Sequence, residues 1–138
     1  MPRIGLAQIK NIPASKKKNI KKIEKILLKA AKNECDLVVF PELSITGYVL
    51  KDLVYSLAEE IPGPSTEKIQ SLARDYGIYV IAGLPEREER NLIYNSAVLV
   101  GPEGLLGIYR KKHLPTYGLF EEGRYFAPWR KDIKVFET

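Results

Sequence analysis

The chain has 138 residues, of which 45% are hydrophobic and 28% charged, and its formal net charge is +5. This length and composition are typical of one soluble globular domain, and the lack of any run of about 18 apolar residues excludes a transmembrane helix. A single cysteine, Cys35, excludes an intrachain disulfide framework. Because the first residues lack the apolar stretch of a signal peptide, we expect a cytoplasmic protein.

The first predicted elements are a strand over residues 3–9 and a helix over 16–32 that Ser15 can cap. Lysines occupy one side of this helix, and Ile23 and Leu27 lie on the other, which is typical of an amphipathic surface helix. No aromatic residue is interleaved among the lysines. We therefore expect a solvated face and no nucleic-acid partner.

The four-residue apolar run 37–40 predicts a strand that is covered on both faces. A short helical stretch follows near 52–60, and Pro62-Gly63-Pro64 interrupts the pattern. A second helix runs to about Tyr76, with Ser65 or Thr66 as its cap.

The remaining predicted elements are mostly strands. They are a strand over 78–82, a charged turn over 87–91, a hairpin of 95–100 and 105–110, and a last strand over 134–136. The early β-α-β-α-β order predicts the α/β class, and the hairpin adds antiparallel pairing. Because an α/β sheet is covered on both faces and only two substantial helices are present, the sequence resembles part of a larger domain.

Charged residues follow two of these strands. Glu42 comes after 37–40, at the carboxyl end of a buried strand, where open α/β sheets bind ligands and a carboxylate can act as a general base. Lys111 comes after 105–110, and an ammonium in such a place can stabilise an oxyanion. We expect the two to meet in one pocket, although a salt-bridged loop glutamate and a solvated basic turn are the alternatives for each residue alone.

Other candidate groups carry less chemistry. His113 is the only histidine, so a Ser-His-Asp triad or a zinc site has too few ligands, and we expect no metal. Nothing near Cys35 supplies a base, so we expect a packed thiol there. Glu121 and Glu122 lie among aromatic residues, where one of them could orient the lysine or pair with Arg124.

Four ordered strings of residues, 40–43, 46–48, 95–98 and 109–114, together resemble the nitrilase superfamily of carbon–nitrogen hydrolases. Two longer stretches, 46–53 and 113–126, look like the glutaminase domain of glutamine-dependent NAD synthetases. The departure is Val49, where that family often has proline. The resemblance covers essentially the whole chain.

The resemblance implies an α-β-β-α sandwich and a Glu-Lys-Cys mechanism of amide hydrolysis. Glu42 would be the general base, Lys111 the oxyanion stabiliser, and Glu122, preferred to Glu121, the glutamate that positions the lysine. Tyr48 and Tyr117 would line the glutamine site. Amide hydrolysis needs no cofactor, and ATP and an NAD precursor would take part only if a synthetase domain followed.

In the family the nucleophilic cysteine follows the strand that begins near Val135, and the sequence stops at Thr138. We therefore expect residues 1–138 to be an incomplete carbon–nitrogen hydrolase domain that is inactive alone. Its partners would be a small-molecule amide, glutamine first, and either a C-terminal half or further copies of itself, with no membrane partner. The alternatives are another nitrilase-family amidase and a truncated, non-catalytic binding module that self-associates.

Overall fold

The structure is a computed structural model that describes residues 1–88 and 90–138. In this part of the chain five strands form one sheet in chain order, with β1, β2 and β3 parallel and β3, β4 and β5 antiparallel. The predicted α/β class with mixed pairing is confirmed. The elements are β1 (Ile4–Leu6), α1 (Lys16–Lys32), β2 (Leu37–Val39), a 3₁₀ turn (Lys51–Leu53), α2 (Val54–Leu57), α3 (Pro64–Tyr76), β3 (Tyr79–Arg87), β4 (Ile93–Gly101), β5 (Gly104–Arg110) and α4 (Glu122–Tyr125).

The two long helices lie side by side on one face of the sheet. Ile23 and Leu27 from α1 and Ile69 from α3 pack against alternate strand residues such as Val38 and Val80, and all of these side chains are buried. This follows from the sequence pattern, because each helix has an apolar stripe and each strand exposes alternate residues to the helical side. No helix in the described chain is both long and apolar enough to cross a membrane.

The helix caps differ from those expected. Ser15 stands before α1, but its side chain makes no capping hydrogen bond. Asn19 instead binds the preceding loop, since its amide accepts from Ile12 N and donates to Ile12 O, each at 2.8 Å. The second helix begins at Pro64, and Thr66 exchanges two hydrogen bonds with the cap residue Gly63. Proline suits a first helical position because it has no N–H to leave unpaired.

Two strands depart from the prediction. The strand predicted at 78–82 continues to Arg87, because its second half pairs with β4 as far as Ile93. The strand predicted at 134–136 does not form, and these residues lie outside the helices and strands of the described chain. Glu89, within the predicted charged turn, lies outside the described residues.

The face of the sheet opposite the helices is largely uncovered. A lateral row crosses it from Leu6 through Val39 and Ile81 to Leu99, and the last three are half-buried. Leu6 at the edge is 76% exposed. This second face, which we call the open face, also carries the candidate site.

Candidate active site

The candidate site lies on the open face, just beyond the carboxyl end of β2. Its cleft has a volume of about 330 Å³. The residues that line it come from the loop after β2, from β3 and β4, and from the end of β5: Phe40, Pro41, Glu42, Leu43, Ile81, Gly83, Asn95, Ser96, Ala97, Tyr109 and Lys111.

Glu42 sits in a tight turn that is held against β3. The next residue, Leu43, is buried and has φ of 48°, a left-handed conformation that is strained for leucine. A Cβ atom at Gly83 would lie 2.5 Å from the backbone nitrogen of Leu43, so only glycine lets the turn come so close. Gly83 N also donates to Ser44 Oγ at 3.1 Å. The turn therefore holds the backbone of Glu42 over the cleft.

Lys111 directly follows β5 and reaches two carboxylates. Its Nζ donates to Glu42 Oε1 at 2.7 Å and to Glu122 Oε1 at 2.9 Å. Burial alone would lower the pKa of Lys111, but the hydrogen bonds and charges of the two glutamates outweigh burial and raise this pKa above its usual value. The meeting of Glu42 and Lys111 in one pocket, expected from their places at strand ends, is thus present in the structure.

Glu122 opens the short helix α4 and is only 3% exposed. Its Oε1 accepts from both Lys111 Nζ and the Tyr48 hydroxyl, the latter at 2.7 Å. Its Oε2 is buried and has no hydrogen-bond partner among residues 1–88 and 90–138. Glu121 is exposed at the surface. The geometry therefore favours Glu122 over Glu121 as the glutamate beside the lysine, while the catalytic roles of these residues stay predictions.

The two tyrosines predicted at the substrate site have different surroundings. Burial, the hydrogen bond to Glu122 and the charges of both glutamates raise the pKa of Tyr48 well above its usual value, so the hydroxyl stays a donor. Tyr117 is 72% exposed on the loop before α4. Its ring packs edge-on against Phe120, which packs in the same way against Tyr48. Tyr117 is therefore placed at the rim and Tyr48 next to the charged cluster.

The remaining candidates lie apart from this cluster. Cys35 is half-buried just before β2, and Glu42 lies beyond the other end of that strand. His113 is exposed. Among the described residues no group of histidine, cysteine and acidic side chains could hold a metal ion.

A family model described as "Carbon-nitrogen hydrolase" matches residues 3–138. The chain belongs to the carbon–nitrogen hydrolase family. Its sequence is 41% identical over 123 residues to a nitrilase from Pyrococcus abyssi, an alignment that covers 87% of this chain and 45% of that protein. It is 36% identical to a glutamine-dependent NAD(+) synthetase from Thermotoga maritima, over 96% of this chain and 23% of the synthetase.

Among solved structures, an amidase from Nesterenkonia sp. AN1 superposes with a TM-score of 0.83 at 26% identity, over 95% of this chain and 51% of the amidase. The chain thus spans about half, or less, of the length of the relatives it matches. The resemblance seen in the sequence strings is confirmed at the level of family and fold.

In this carbon–nitrogen hydrolase the sequence motifs did not reveal the role of Asn95. Its Nδ2 donates to Glu42 Oε1 at 2.6 Å, so a third side chain holds the predicted base. Asn95 lies inside one of the family strings, but a lone asparagine in a strand gives no sign of the residue it faces. The signal that could have found it is strand alternation, because residues 95 and 97 must share the face that Lys111 reaches.

The ion pair between Arg110 and Glu86 was also not predicted. Arg110 Nε donates to Glu86 Oε2 at 2.8 Å, and its guanidinium lies over the rings of Tyr94 and Trp129. Hydrogen bonding to Glu86 raises the pKa of Arg110. This pair holds the end of β5 from the face opposite the cleft, directly before Lys111.

Proposed function

We propose that this chain forms part of a carbon–nitrogen hydrolase that hydrolyses the side-chain amide of glutamine. The observation that carries the proposal is the contact of Lys111 Nζ with both Glu42 and Glu122, at 2.7 and 2.9 Å. Two carboxylates around one ammonium favour its charged form, and a charged donor is needed where an oxyanion develops. The geometry supports Glu42 as the base and Lys111 as the oxyanion stabiliser.

In the proposed reaction, Glu42 takes the proton of a cysteine thiol and the thiolate attacks the amide carbon. Lys111 gives two N–H groups to carboxylates, and its third N–H is the one we assign to the tetrahedral oxyanion. When the C–N bond breaks, the nitrogen takes the proton from Glu42 and leaves as ammonia. Glu42 then accepts a proton from water, which attacks the thioester and releases the acid and the thiol.

The thiol in this proposal comes from outside residues 1–138. Cys35 is unsuited because it lies at the opposite end of β2 from Glu42. Support for a thiol comes from the amidase of Nesterenkonia sp. AN1, in which acrylamide undergoes Michael addition at the active-site cysteine.

Glutamine is the proposed substrate because residues 46–53 and 113–126 resemble glutaminase domains and because the Thermotoga relative is a glutamine-dependent NAD(+) synthetase. Tyr48 and Tyr117 are the proposed substrate-binding residues. Hydrolysis of the amide requires no cofactor in this scheme. ATP and an NAD precursor become substrates only if the full protein carries a synthetase domain.

The test is ammonia release by the full gene product that contains this sequence. Glutamine is compared with asparagine, whose side chain is one methylene shorter, and with a simple aliphatic amide and nitrile. We expect kcat/KM for glutamine to exceed that for asparagine by about tenfold or more. A preference for the simple amide or nitrile would contradict glutamine as the substrate and would favour the second candidate, an activity like that of the Pyrococcus nitrilase.

A non-catalytic binding module is the candidate from another class. The exposed Ile4 and Leu6 on the open face favour it, because an uncovered apolar sheet promotes self-association. Light scattering tests this reading together with the assay. Turnover of any amide would exclude it, whereas stable self-association without turnover would support it.

A further inference from the structure

Asn95 contacts both residues of the proposed catalytic pair. Its Nδ2 donates to Glu42 Oε1 at 2.6 Å, and its backbone oxygen accepts from Lys111 N at 2.9 Å. The residue lies in β4 and is only 5% exposed. One buried strand residue thus connects the turn that carries Glu42 to the strand end that carries Lys111.

These contacts make the two oxygens of Glu42 unequal. Oε1 accepts from Asn95 Nδ2 and from Lys111 Nζ, whereas Oε2 accepts from no residue in the described part of the chain. We propose that Asn95 is a positioning residue that fixes the Glu42 carboxylate so that Oε2 is the oxygen that takes the proton of the nucleophile. This inference rests on the proposed amide hydrolysis.

The carboxylate needs such a support because Glu42 is 43% exposed and its last torsion has only a broad, shallow preference. Without Asn95 the carboxylate is free to rotate and to give both oxygens to Lys111, which would leave neither free for the thiol. An asparagine amide suits this role because it does not titrate and so donates at every pH.

The test uses Asn95→Leu, which removes the donor at similar size, and Asn95→Asp, which keeps the shape but replaces the donor with an oxygen. Both are made in the full gene product. The matched control is Ser96→Ala, because Ser96 is the next residue in β4, is equally buried and loses a hydrogen bond to another carboxylate, Glu86. Its bond lies on the opposite face of the sheet, away from the cleft.

We expect both Asn95 variants to lower kcat by about 10- to 100-fold, with KM within about twofold, since a lost hydrogen bond to a charged group has an effect of this size. Ser96→Ala should keep kcat within about threefold of the wild type. Folding of each variant is followed by its melting temperature, and either Asn95 variant is sufficient if the other does not fold. Unchanged kcat in a folded Asn95 variant, or an equal loss in Ser96→Ala, would overturn the positioning role.

A second readout does not depend on turnover. In protein labelled with ¹⁵N-asparagine, the side-chain amide signals of Asn95 should move in Glu42→Gln, because the acceptor loses its charge. A wild type that hydrolyses no amide would overturn the proposed function, and the positioning role would then be decided by these signals alone. Signals that do not move in Glu42→Gln would overturn it.

Discussion

At the scale of single residues, Glu122 bears most on the charge state of Lys111 after Glu42. Glu122 is almost fully buried, and its Oε1 lies 2.9 Å from Lys111 Nζ. A lysine that stabilises an oxyanion acts only while protonated, so its contribution is present below its pKa and is lost as the pH rises through it. Because the two glutamates raise the pKa of Lys111, they extend that range toward alkaline pH.

Glu122→Gln should therefore move the alkaline limb of the kcat/KM profile to lower pH and lower kcat by about tenfold or more at neutral pH. The variant keeps the size of the side chain but removes the charge that supports the ammonium. The measurement is amide hydrolysis by the full gene product across the alkaline range.

Tyr48→Phe is the matched control for this change. It removes one hydrogen bond to the same Glu122 oxygen but leaves every charge in place. Its alkaline limb should coincide with that of the wild type. An alkaline limb in Glu122→Gln that also coincides with the wild type would show that Glu122 does not control the charge of Lys111.

At the scale of elements, the segment between α2 and α3 is held by the carboxylate of Glu59. It pairs with Lys16 on α1 and accepts from Ser65 N at 2.9 Å and from Ser65 Oγ at 2.7 Å, at the start of α3. Burial alone would raise the pKa of Glu59, but the bonds to Lys16 and Ser65 outweigh burial and lower it. This one carboxylate therefore links both long helices.

Glu59→Gln should lower the free energy of unfolding by about 1–3 kcal/mol at pH 7, because bonds to a charged acceptor are lost. Since the folded pKa of Glu59 lies below its ordinary value of 4.5, its contribution is complete above that value and is lost as the pH falls through the folded pKa. Stability of the variant should thus vary less in this acidic window than that of the wild type.

Denaturant unfolding of the two proteins through the acidic range measures this difference. The neighbouring Glu60 is exposed, and Glu60→Gln should leave both the stability and its pH dependence within about 0.5 kcal/mol of the wild type. Equal acid sensitivity in Glu59→Gln and the wild type would contradict the role given to this carboxylate.

Elements with a strong local pattern could be predicted from the sequence, and others could not. The bounds of α1 agree with the prediction because its apolar stripe and lysine face repeat over several turns. The second half of β3 contains Gly83 and Pro85, which local preference places outside strands. Its pairing with β4 and the bond from Glu59 N to Pro85 O are tertiary contacts that no local pattern reveals.

The same limit applies to the candidate site. Glu42 and Lys111 could be placed together because each follows a strand, and strand ends of neighbouring segments meet at one edge. Asn95 was missed because its importance depends on which residue it faces across the cleft. The structure supplies that facing residue, Glu42 at 2.6 Å.

At the scale of the whole molecule, the described chain consists of one helical layer and one sheet, and the site lies on the face that the helices leave open. The chain spans about half, or less, of the relatives it matches, including 51% of the Nesterenkonia amidase. The groups that we assign to proton transfer and oxyanion binding all lie within residues 42–122. The account therefore places the charged part of the catalytic machinery in this chain.

The measurement that tests this claim most directly is glutamine hydrolysis by the full gene product and its Glu42→Gln and Lys111→Ala variants. We expect each variant to lose about 100-fold or more in kcat/KM, since one removes the base and the other the oxyanion donor. Lys112→Ala, a neighbouring cation outside the charged cluster, should stay within about threefold of the wild type. Retained turnover in Glu42→Gln or in Lys111→Ala would contradict the account.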